Sequence, residues 1–213
     1  MRVIQVNGGL TQLMDAARNY NDEDPGVTGT ATAAGLKWQG SITASIEASL
    51  EKAWEIASDF CGLHKFVPIV EVCERLKGRN RKPGCLRFYT LNSPTGLPGG
   101  KRKGWAKDKL LTISPQHHCF TYTLQGSNLN LEECIFTWHL EEDRDQAGST
   151  LVNWFFDLNP VKKSTKEKTL SDMSELGYNF IKGLETAAPA TAATATAPTA
   201  TAASISIAPN SDS

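Results

Sequence analysis

The residues Ser164–Glu185, STKEKTLSDMSELGYNFIKGLE, carry the clearest structural signal in this sequence. Ser164 and Glu167 match the S-x-x-E capping box that begins many helices. Large apolar residues then recur on one helical face, at Leu170, Met173, Leu176, Phe180, Ile181 and Leu184. A helix with such a stripe is stable in water only when an apolar surface covers the stripe, so the rest of the chain has to supply that surface.

The first part of this surface is a strand followed by a short helix. In Lys37–Ala48 the residues alternate, with one parity mostly apolar, which is typical of a half-buried strand. At Ser49, which can serve as an N-cap, the period becomes helical and continues to Gly62. The residues that share its apolar face are Leu50, Ala53, Trp54, Ala57 and Phe60. This spacing predicts a helix of about three turns.

Six short β-like runs with turn residues between them fill the middle of the chain. They are Ile69–Leu76, Cys85–Leu91, Lys103–Ile113, Cys119–Leu124, Leu131–Leu140 and Thr150–Leu158. Their close spacing and polar turns favour an antiparallel meander. We therefore predict an α+β domain in which a curved antiparallel sheet of about seven strands wraps the long C-terminal helix and encloses an internal cavity.

The predicted domain spans residues 36–185. Residues 1–35 are polar and short of large apolar side chains, and residues 186–213 are almost entirely Ala, Thr, Pro and Ser. Neither end can bury enough apolar surface to offset the entropy of ordering it, so we expect both to be disordered.

Charge and cysteine content restrict the partners and the compartment. The net charge is −1, whereas a protein that coats nucleic acid is normally basic. The five cysteines lack C-x-x-C spacing, so we interpret them as small buried hydrophobic residues in a reducing compartment. No apolar run reaches the length of a signal peptide or a membrane span, which favours a cytoplasmic protein.

An ordered set of short motifs resembles a known family. The set is Lys37-Trp38-x-Gly40, Ala53-Trp54, Asp59-Phe60, Leu63-His64-Lys65, Pro68, Cys73-Glu74, Gly84-Cys85-x-Arg87 and Trp105-Ala106-Lys107-Asp108-Lys109-Leu110. It resembles the helix-grip superfamily of plant pollen-allergen, START-like and polyketide cyclase/dehydrase-like proteins. Within that superfamily it is most similar to lachrymatory-factor synthase and its relatives. The resemblance covers about Leu36 to Glu185 and implies the helix-grip fold with a cavity for a small hydrophobic ligand.

The resemblance also implies a site. In lachrymatory-factor synthase an arginine after the Gly-Cys pair, a glutamate in the Trp-Ala-Lys-Glu-Lys-Leu segment and a later tyrosine are tied to isomerising an unsaturated sulfenic acid. Arg87 matches the arginine, Asp108 stands at the glutamate position, and Cys134 stands at the tyrosine position. Because two of the three residues differ, we do not expect this particular reaction.

A second resemblance concerns one loop. Thr95-Gly96-Leu97-Pro98-Gly99 is similar to the gate loop of the abscisic-acid receptors, which closes over bound hormone. Their His-Arg-Leu latch is not matched by Asn128-Leu129-Asn130, and Glu71 stands where their lysine anchors the hormone carboxylate. The resemblance implies a lid at Leu97 and Pro98 and argues against a hormone receptor.

Arg87 and Asp108 are candidates for chemistry on physical grounds as well. Both are flanked by apolar residues, and buried charges are costly unless paired, so they should meet each other or a ligand if both face inward. The arginine could then polarise a substrate oxygen while the carboxylate moves a proton. The alternative is an ordinary salt bridge or a solvent-facing residue, since Cys85 and Tyr89 share one face with Arg87 while the other face is apolar.

The remaining expectations concern ligand contacts, metals and cofactors. We expect ligand contacts from Tyr89, Leu97, Pro98, Tyr122, Cys134 and Phe180. We expect no metal site, because successive strand residues such as His117, His118 and Cys119 point to opposite faces and cannot converge. We expect no cofactor, because the sequence has no nucleotide or nucleophile motif.

Two functions stay open from sequence alone. The first is a cytosolic carrier or sensor for a small, mostly apolar ligand. The second is a cofactor-free isomerase, lyase or cyclase that acts on a plant metabolite by proton transfer. A third, less favoured function is RNA or protein binding through the basic loops Lys77–Lys82 and Lys101–Lys103. The oligomeric state is not indicated by any motif.

Overall fold

A computed structural model of the protein describes residues 2–4, 37–98 and 101–188, apart from the side chains of 2–4 and 94–96. Its strands are β1 (Arg2–Ile4), β2 (Trp38–Ile46), β3 (Val70–Lys77), β4 (Leu86–Leu97), β5 (Lys101–Ser114), β6 (Cys119–Ser127), β7 (Ile135–Glu142) and β8 (Thr150–Leu158). Its helices are α1 (Leu50–Ala57), a 3₁₀ turn (Leu63–Lys65) and α2 (Lys166–Ala187). Within the described residues the strands form one antiparallel sheet in the order β1-β2-β8-β7-β6-β5-β4-β3.

The predicted fold class is confirmed. Strands β2 to β8 are the seven strands of the predicted domain, and the curved sheet that they form packs against α2. The helix lies directly on the sheet, because a Cβ atom added at Gly177 would stand 2.2 Å from the Trp154 ring and 2.6 Å from Ile42 Cδ1. Met173, Phe180 and the other residues of the predicted apolar stripe are buried, except Leu170, which is half-buried.

The N-terminal segment contains one element that the sequence prediction missed. Residues 1–35 were predicted to be disordered, but Arg2–Ile4 form strand β1, which pairs with Thr43–Ser45 of β2 at the edge of the sheet. Backbone hydrogen bonds to an existing strand can order a segment of only three residues. At the other end, Thr186 and Ala187 continue α2 instead of starting the tail. The rest of both predicted disordered segments lies outside the described residues.

Both helices differ from the prediction at one end. The N-cap of α2 is Thr165, whose Oγ1 accepts a hydrogen bond from Lys168 N at 3.2 Å, and not Ser164. Ser164 Oγ instead accepts a hydrogen bond from Thr169 Oγ1 at 2.9 Å. Helix α1 has eight residues and ends at Ala57, well before Gly62. The chain turns at Ser58–Cys61, and this turn points the Phe60 ring into the domain.

The loop predicted between the second and third β-like runs is shorter than expected. Strand β4 continues to Leu97, which pairs with Lys101 of β5, so the two strands form a long hairpin. The pairing has a register shift between Asn92 and Leu97, where the hairpin bends. The lid residues therefore belong to the end of a hairpin. No helix in the described part of the chain is long and apolar enough to cross a membrane.

Candidate functional site

Arg87 and Asp108 stand directly opposite each other on neighbouring strands β4 and β5. Both side chains point into the domain, with 3% of Arg87 and none of Asp108 exposed. Arg87 Nε and Nη2 both donate hydrogen bonds to the same carboxylate oxygen, Asp108 Oδ2, at 3.1 and 2.8 Å. The inward parity of β4 is thus the one shared by Arg87 and Tyr89, which the sequence left open.

The third arm of the guanidinium binds a residue that sequence reasoning did not include in the site. Arg87 Nη1 donates to the carbonyl oxygen of Phe60 at 2.7 Å. The Phe60 ring lies 4.0 Å from Arg87 Cζ, and the Tyr122 and Tyr89 rings lie at 5.0 and 5.1 Å. Desolvated cation–π contacts of this kind are worth about 2 kcal/mol. The sequence marked Phe60 as a member of an apolar helix face and of a family motif, but it gave no sign of this contact, because the contact uses a backbone carbonyl.

Asp108 Oδ1 is the carboxylate oxygen that Arg87 does not bind. No donor among the described residues meets strict hydrogen-bond geometry at Oδ1, and the Tyr89 hydroxyl is the donor that stands nearest to forming such a bond with the carboxylate. Burial raises the pKa of Asp108, while Arg87 and then Tyr89 lower it, and the net pKa lies above its ordinary value. A buried acceptor without a donor costs about 1–3 kcal/mol, so Oδ1 is the atom of this site that a ligand could satisfy.

Two tyrosines complete the surroundings of the ion pair. Burial raises the pKa of Tyr122 to about 12, and it raises the pKa of Tyr89 well above its usual value. Both hydroxyls therefore keep their protons at neutral pH and can donate hydrogen bonds. Trp154 Nε1 donates to the Tyr122 hydroxyl oxygen at 3.3 Å, and Phe180 of α2 packs on the Trp154 ring at 6.0 Å.

A row of five aromatic rings, with Tyr122 in its middle, crosses the interior of the domain. The ring centroids of neighbouring pairs lie between 5.0 and 6.1 Å apart along Trp138, Phe120, Tyr122, Phe136 and Trp154. Such offset contacts make a tightly packed wall. The ion pair thus lies beside Tyr122, the middle ring of this aromatic wall, and Phe180 of the helix contacts Trp154 at one end of the wall.

One of the predicted lid residues, Leu97, lies against Gly104, which is on the same inward face of β5 as Asp108. Leu97 and Pro98 are buried. A Cβ atom added at Gly104 would stand 2.4 Å from Leu129 Cδ2 and 3.1 Å from Leu97 Cδ1, so the hairpin end and Leu129 both cover this glycine. Lys101 Nζ also donates to the carbonyl oxygen of Asn128 at 2.5 Å. The segment compared with a receptor latch therefore does contact the hairpin, through chemistry other than His-Arg-Leu.

Cys134 lies apart from the guanidinium, just before β7. It is fully buried, and burial followed by the charge of Asp108 raises the pKa of its thiol to about 12. Its carbonyl oxygen accepts hydrogen bonds from Leu124 N and Thr123 Oγ1, both at 2.9 Å. Of the eight predicted site residues, Arg87, Asp108, Tyr89 and Tyr122 form one cluster.

Three pockets are described, and none of them is lined by the ion pair or its tyrosines. Their volumes are about 560, 530 and 360 Å³. The 560 Å³ pocket lies at the start of α2, beside Lys162 and Lys168, and the 360 Å³ pocket lies beside His117 and His139. The 530 Å³ pocket includes Leu124, the β6 residue that pairs with Asp108. The predicted internal cavity stays a prediction.

Comparison with known proteins places the domain among relatives. A family model described as polyketide cyclase / dehydrase and lipid transport matches residues 37–178. Ginseng major latex-like protein 151 from Panax ginseng is similar in structure, with a TM-score of 0.60 at 15% identity over 73% of this chain and 99% of that chain. The protein XoxI from Bacillus cereus is similar with a TM-score of 0.58 at 16% identity, over 70% of this chain and 94% of its own.

At these identities the structural likeness supports the fold alone. The family model carries the assignment, because it spans both Arg87 and Asp108 and covers more than half of the chain. The chain belongs to the family of polyketide cyclases / dehydrases and lipid-transport proteins.

Proposed function

We propose that this domain is a cytosolic binding protein for a small, mostly apolar metabolite, held between the sheet and α2 with Asp108 as its polar anchor. The observation that carries the proposal is the buried Asp108 Oδ1, which lacks a donor among the described residues. Binding sites for small molecules combine apolar walls with a few polar groups that orient the ligand. The lipid-transport part of the family description supports the same reading.

The charges of the site select the ligand's polar group. The Arg87 guanidinium already binds Asp108 and the Phe60 carbonyl, so its positive charge is matched before a ligand arrives. The atom that lacks a hydrogen-bond partner, Asp108 Oδ1, is an acceptor. A ligand with a hydroxyl or amine N–H would satisfy it, whereas a carboxylate would place a second negative charge beside Asp108.

Entry of a ligand requires the end of the β4–β5 hairpin to move. Leu97 and Pro98 are buried there, and the side chains of Leu97 and Leu129 both pack over Gly104. Tyr89, Tyr122, Cys134 and Phe180 would then line the space that opens. Opening at the hairpin leaves the packed aromatic wall in place, which favours Leu97 and Pro98 as the lid.

A matched set of three ligands tests the proposal. A long-chain alcohol, its methyl ether and the carboxylate of equal length differ only in the polar group that would meet Asp108. We expect the alcohol to bind more tightly than the ether by about 1.5–3 kcal/mol, which is roughly 10- to 150-fold, because a hydrogen bond to a charged group forms. The carboxylate ligand should bind most weakly of the three, because its charge would lie beside that of Asp108. Isothermal titration calorimetry measures all three.

Asp108→Asn is the companion variant, and circular dichroism first has to confirm that it folds. It should remove most of the preference for alcohol over ether. Tyr178→Ala, at an exposed position of α2, should leave the preference intact. Equal affinity of the native protein for alcohol and ether would refute the anchoring role of Asp108.

A second function is favoured by the same two side chains. An arginine that can polarise an oxygen and a carboxylate whose pKa is raised by burial can together move a proton without a cofactor. This would make the protein an isomerase, lyase or cyclase, as the resemblance to lachrymatory-factor synthase implies. The purified protein incubated in a plant metabolite extract should then convert a compound and not merely retain it. In that case Asp108→Asn keeps affinity and loses turnover, whereas a pure carrier converts nothing in either form.

A further inference from the structure

Two thiols are in contact beside the ion pair, and the proposed function uses neither. Cys61 Sγ and Cys85 Sγ lie 3.5 Å apart. Cys61 directly follows Phe60, whose carbonyl accepts a hydrogen bond from Arg87, and Cys85 lies two residues before Arg87 on the same inward parity. The sulfur pair therefore joins the two segments that hold the guanidinium.

The backbone on both sides of the sulfur pair is held by hydrogen bonds. Cys61 N donates to Asn80 Oδ1 at 3.2 Å, which ties the turn after α1 to the β3–β4 loop. Cys85 N donates to Lys82 O at 3.1 Å, and Cys85 O accepts from Leu110 N at 2.8 Å. A disulfide needs the sulfurs to close to about 2.05 Å, so the two sulfur atoms have to approach by about 1.5 Å.

The two thiols differ in access to solvent. Cys61 is half-buried, whereas Cys85 is fully buried. We propose that Cys61 and Cys85 form a reversible intramolecular disulfide when the protein meets a peroxide. Cys61 would be the thiol that the oxidant reaches first, and Cys85 would be the thiol that resolves the intermediate.

The proposed reaction balances with hydrogen peroxide as oxidant. The Cys61 thiolate attacks one peroxide oxygen, the O–O bond breaks, and a sulfenic acid and hydroxide form. The Cys85 thiolate then attacks the sulfenic sulfur, forms the S–S bond and releases a second hydroxide. The two thiol protons convert both hydroxides to water, so two thiols lose two electrons to one peroxide.

The surroundings of Cys61 set the rate of this reaction. Burial, and after it the neighbouring Cys85 and Cys73 thiols, raises the pKa of Cys61 to about 12, while Arg87 lowers it; the Lys65 ammonium also stands within electrostatic range. Only a small fraction of Cys61 is thiolate at neutral pH. The disulfide should therefore form slowly at pH 7 and about tenfold faster per pH unit up to pH 9.

The disulfide would affect the surroundings of Arg87. The bond would hold the turn that contains Phe60 against the beginning of β4, and so keep the Phe60 carbonyl and ring on the Arg87 guanidinium. The oxidised protein should melt at a higher temperature than the reduced one, by about 5 °C, because the bond restricts the unfolded chain. The inference holds whichever ligand the domain binds.

Peptide mapping of the full-length protein tests the disulfide directly. Tryptic cleavage leaves Cys61 in residues 53–65, Cys73 in 66–75 and Cys85 in 82–87, because Lys82 precedes proline and is not cut. The protein is treated with hydrogen peroxide at pH 8.5, and its free thiols are then alkylated with iodoacetamide. We expect peptide 53–65 joined to peptide 82–87, and separation of the two after reduction with dithiothreitol.

Variants and alternative links complete the test. Cys61→Ser, at the half-buried position, and Cys85→Ser should each abolish the link and the rise in melting temperature. Cys119→Ser, which removes another half-buried thiol, should leave both unchanged. A link from peptide 53–65 to peptide 66–75, or only alkylated peptides after prolonged oxidation, would overturn the assignment.

Discussion

Replacing Arg87 with methionine should lower the free energy of unfolding by about 3–5 kcal/mol, because Asp108 then lies in the interior without its counter-charge. Methionine is shorter than arginine but comparable to it in volume, so the loss comes mainly from the unpaired carboxylate and not from a cavity. The double variant Arg87→Met/Asp108→Leu removes both charges. It should recover most of the stability, because a buried ion pair contributes little more than well-packed apolar residues. Urea denaturation, monitored by circular dichroism, gives the free energy of unfolding of the native protein, the single variant and the double variant.

The control for this comparison is an exposed ion pair of α1. Lys52 Nζ lies 3.6 Å from Glu55 Oε2, and half or more of each side chain is exposed. Lys52→Met should leave the unfolding midpoint unchanged within error, since water screens exposed pairs. If Arg87→Met proves as harmless as this control, the ion pair is not buried in the way that the structure describes.

Gly183→Ala should destabilise the domain by about 2–3 kcal/mol, although the same change in an exposed helix stabilises by about 1 kcal/mol. A Cβ atom at position 183 would stand 2.1 Å from the Phe66 carbonyl oxygen and 3.1 Å from Val67 Cα. Both are backbone atoms, so they cannot move aside by changing a rotamer. The helix would have to shift away from the segment that follows the Leu63–Lys65 turn.

Ser171→Ala is the matched control, because Ser171 is an exposed residue of the same helix. It should change the free energy of unfolding by less than about 0.5 kcal/mol. Urea unfolding curves of the two variants decide the matter, and a gain in stability for Gly183→Ala would contradict the close approach. The same contact places α2 against Phe66 and Val67, which directly follow the 3₁₀ turn.

Elements whose residues lie close together in sequence were predicted well. The strand β8 has the bounds Thr150–Leu158 that its β-branched and aromatic run indicated. Helix ends were predicted less well, since Ser164 and Thr165 are both good N-caps and only the path of the entering chain selects Thr165. The strand β1 was missed, because its order depends on a hydrogen-bonding edge offered by β2, some forty residues later.

The site residues show the same difference between features that local sequence predicts and contacts that form between distant segments. The sequence identified Arg87 and Asp108 through motifs and through the cost of burying a lone charge. It could not identify Phe60 as a ligand of the guanidinium, because the contact uses a backbone carbonyl. It treated Cys61 and Cys85 as unrelated small residues, and their contact follows from the meeting of two loops.

The amino-acid pattern alone was enough to predict an antiparallel sheet around a long helix and to single out Arg87 and Asp108 as candidates, since periodicity and the cost of desolvation act locally along the chain. Strand pairing and the turn after α1 decided which face Arg87 takes, that its two donors share one oxygen of Asp108, and that the other oxygen has no donor among the described residues. These features depend on atoms brought together from distant segments within fractions of an ångström, and no local periodicity encodes such distances.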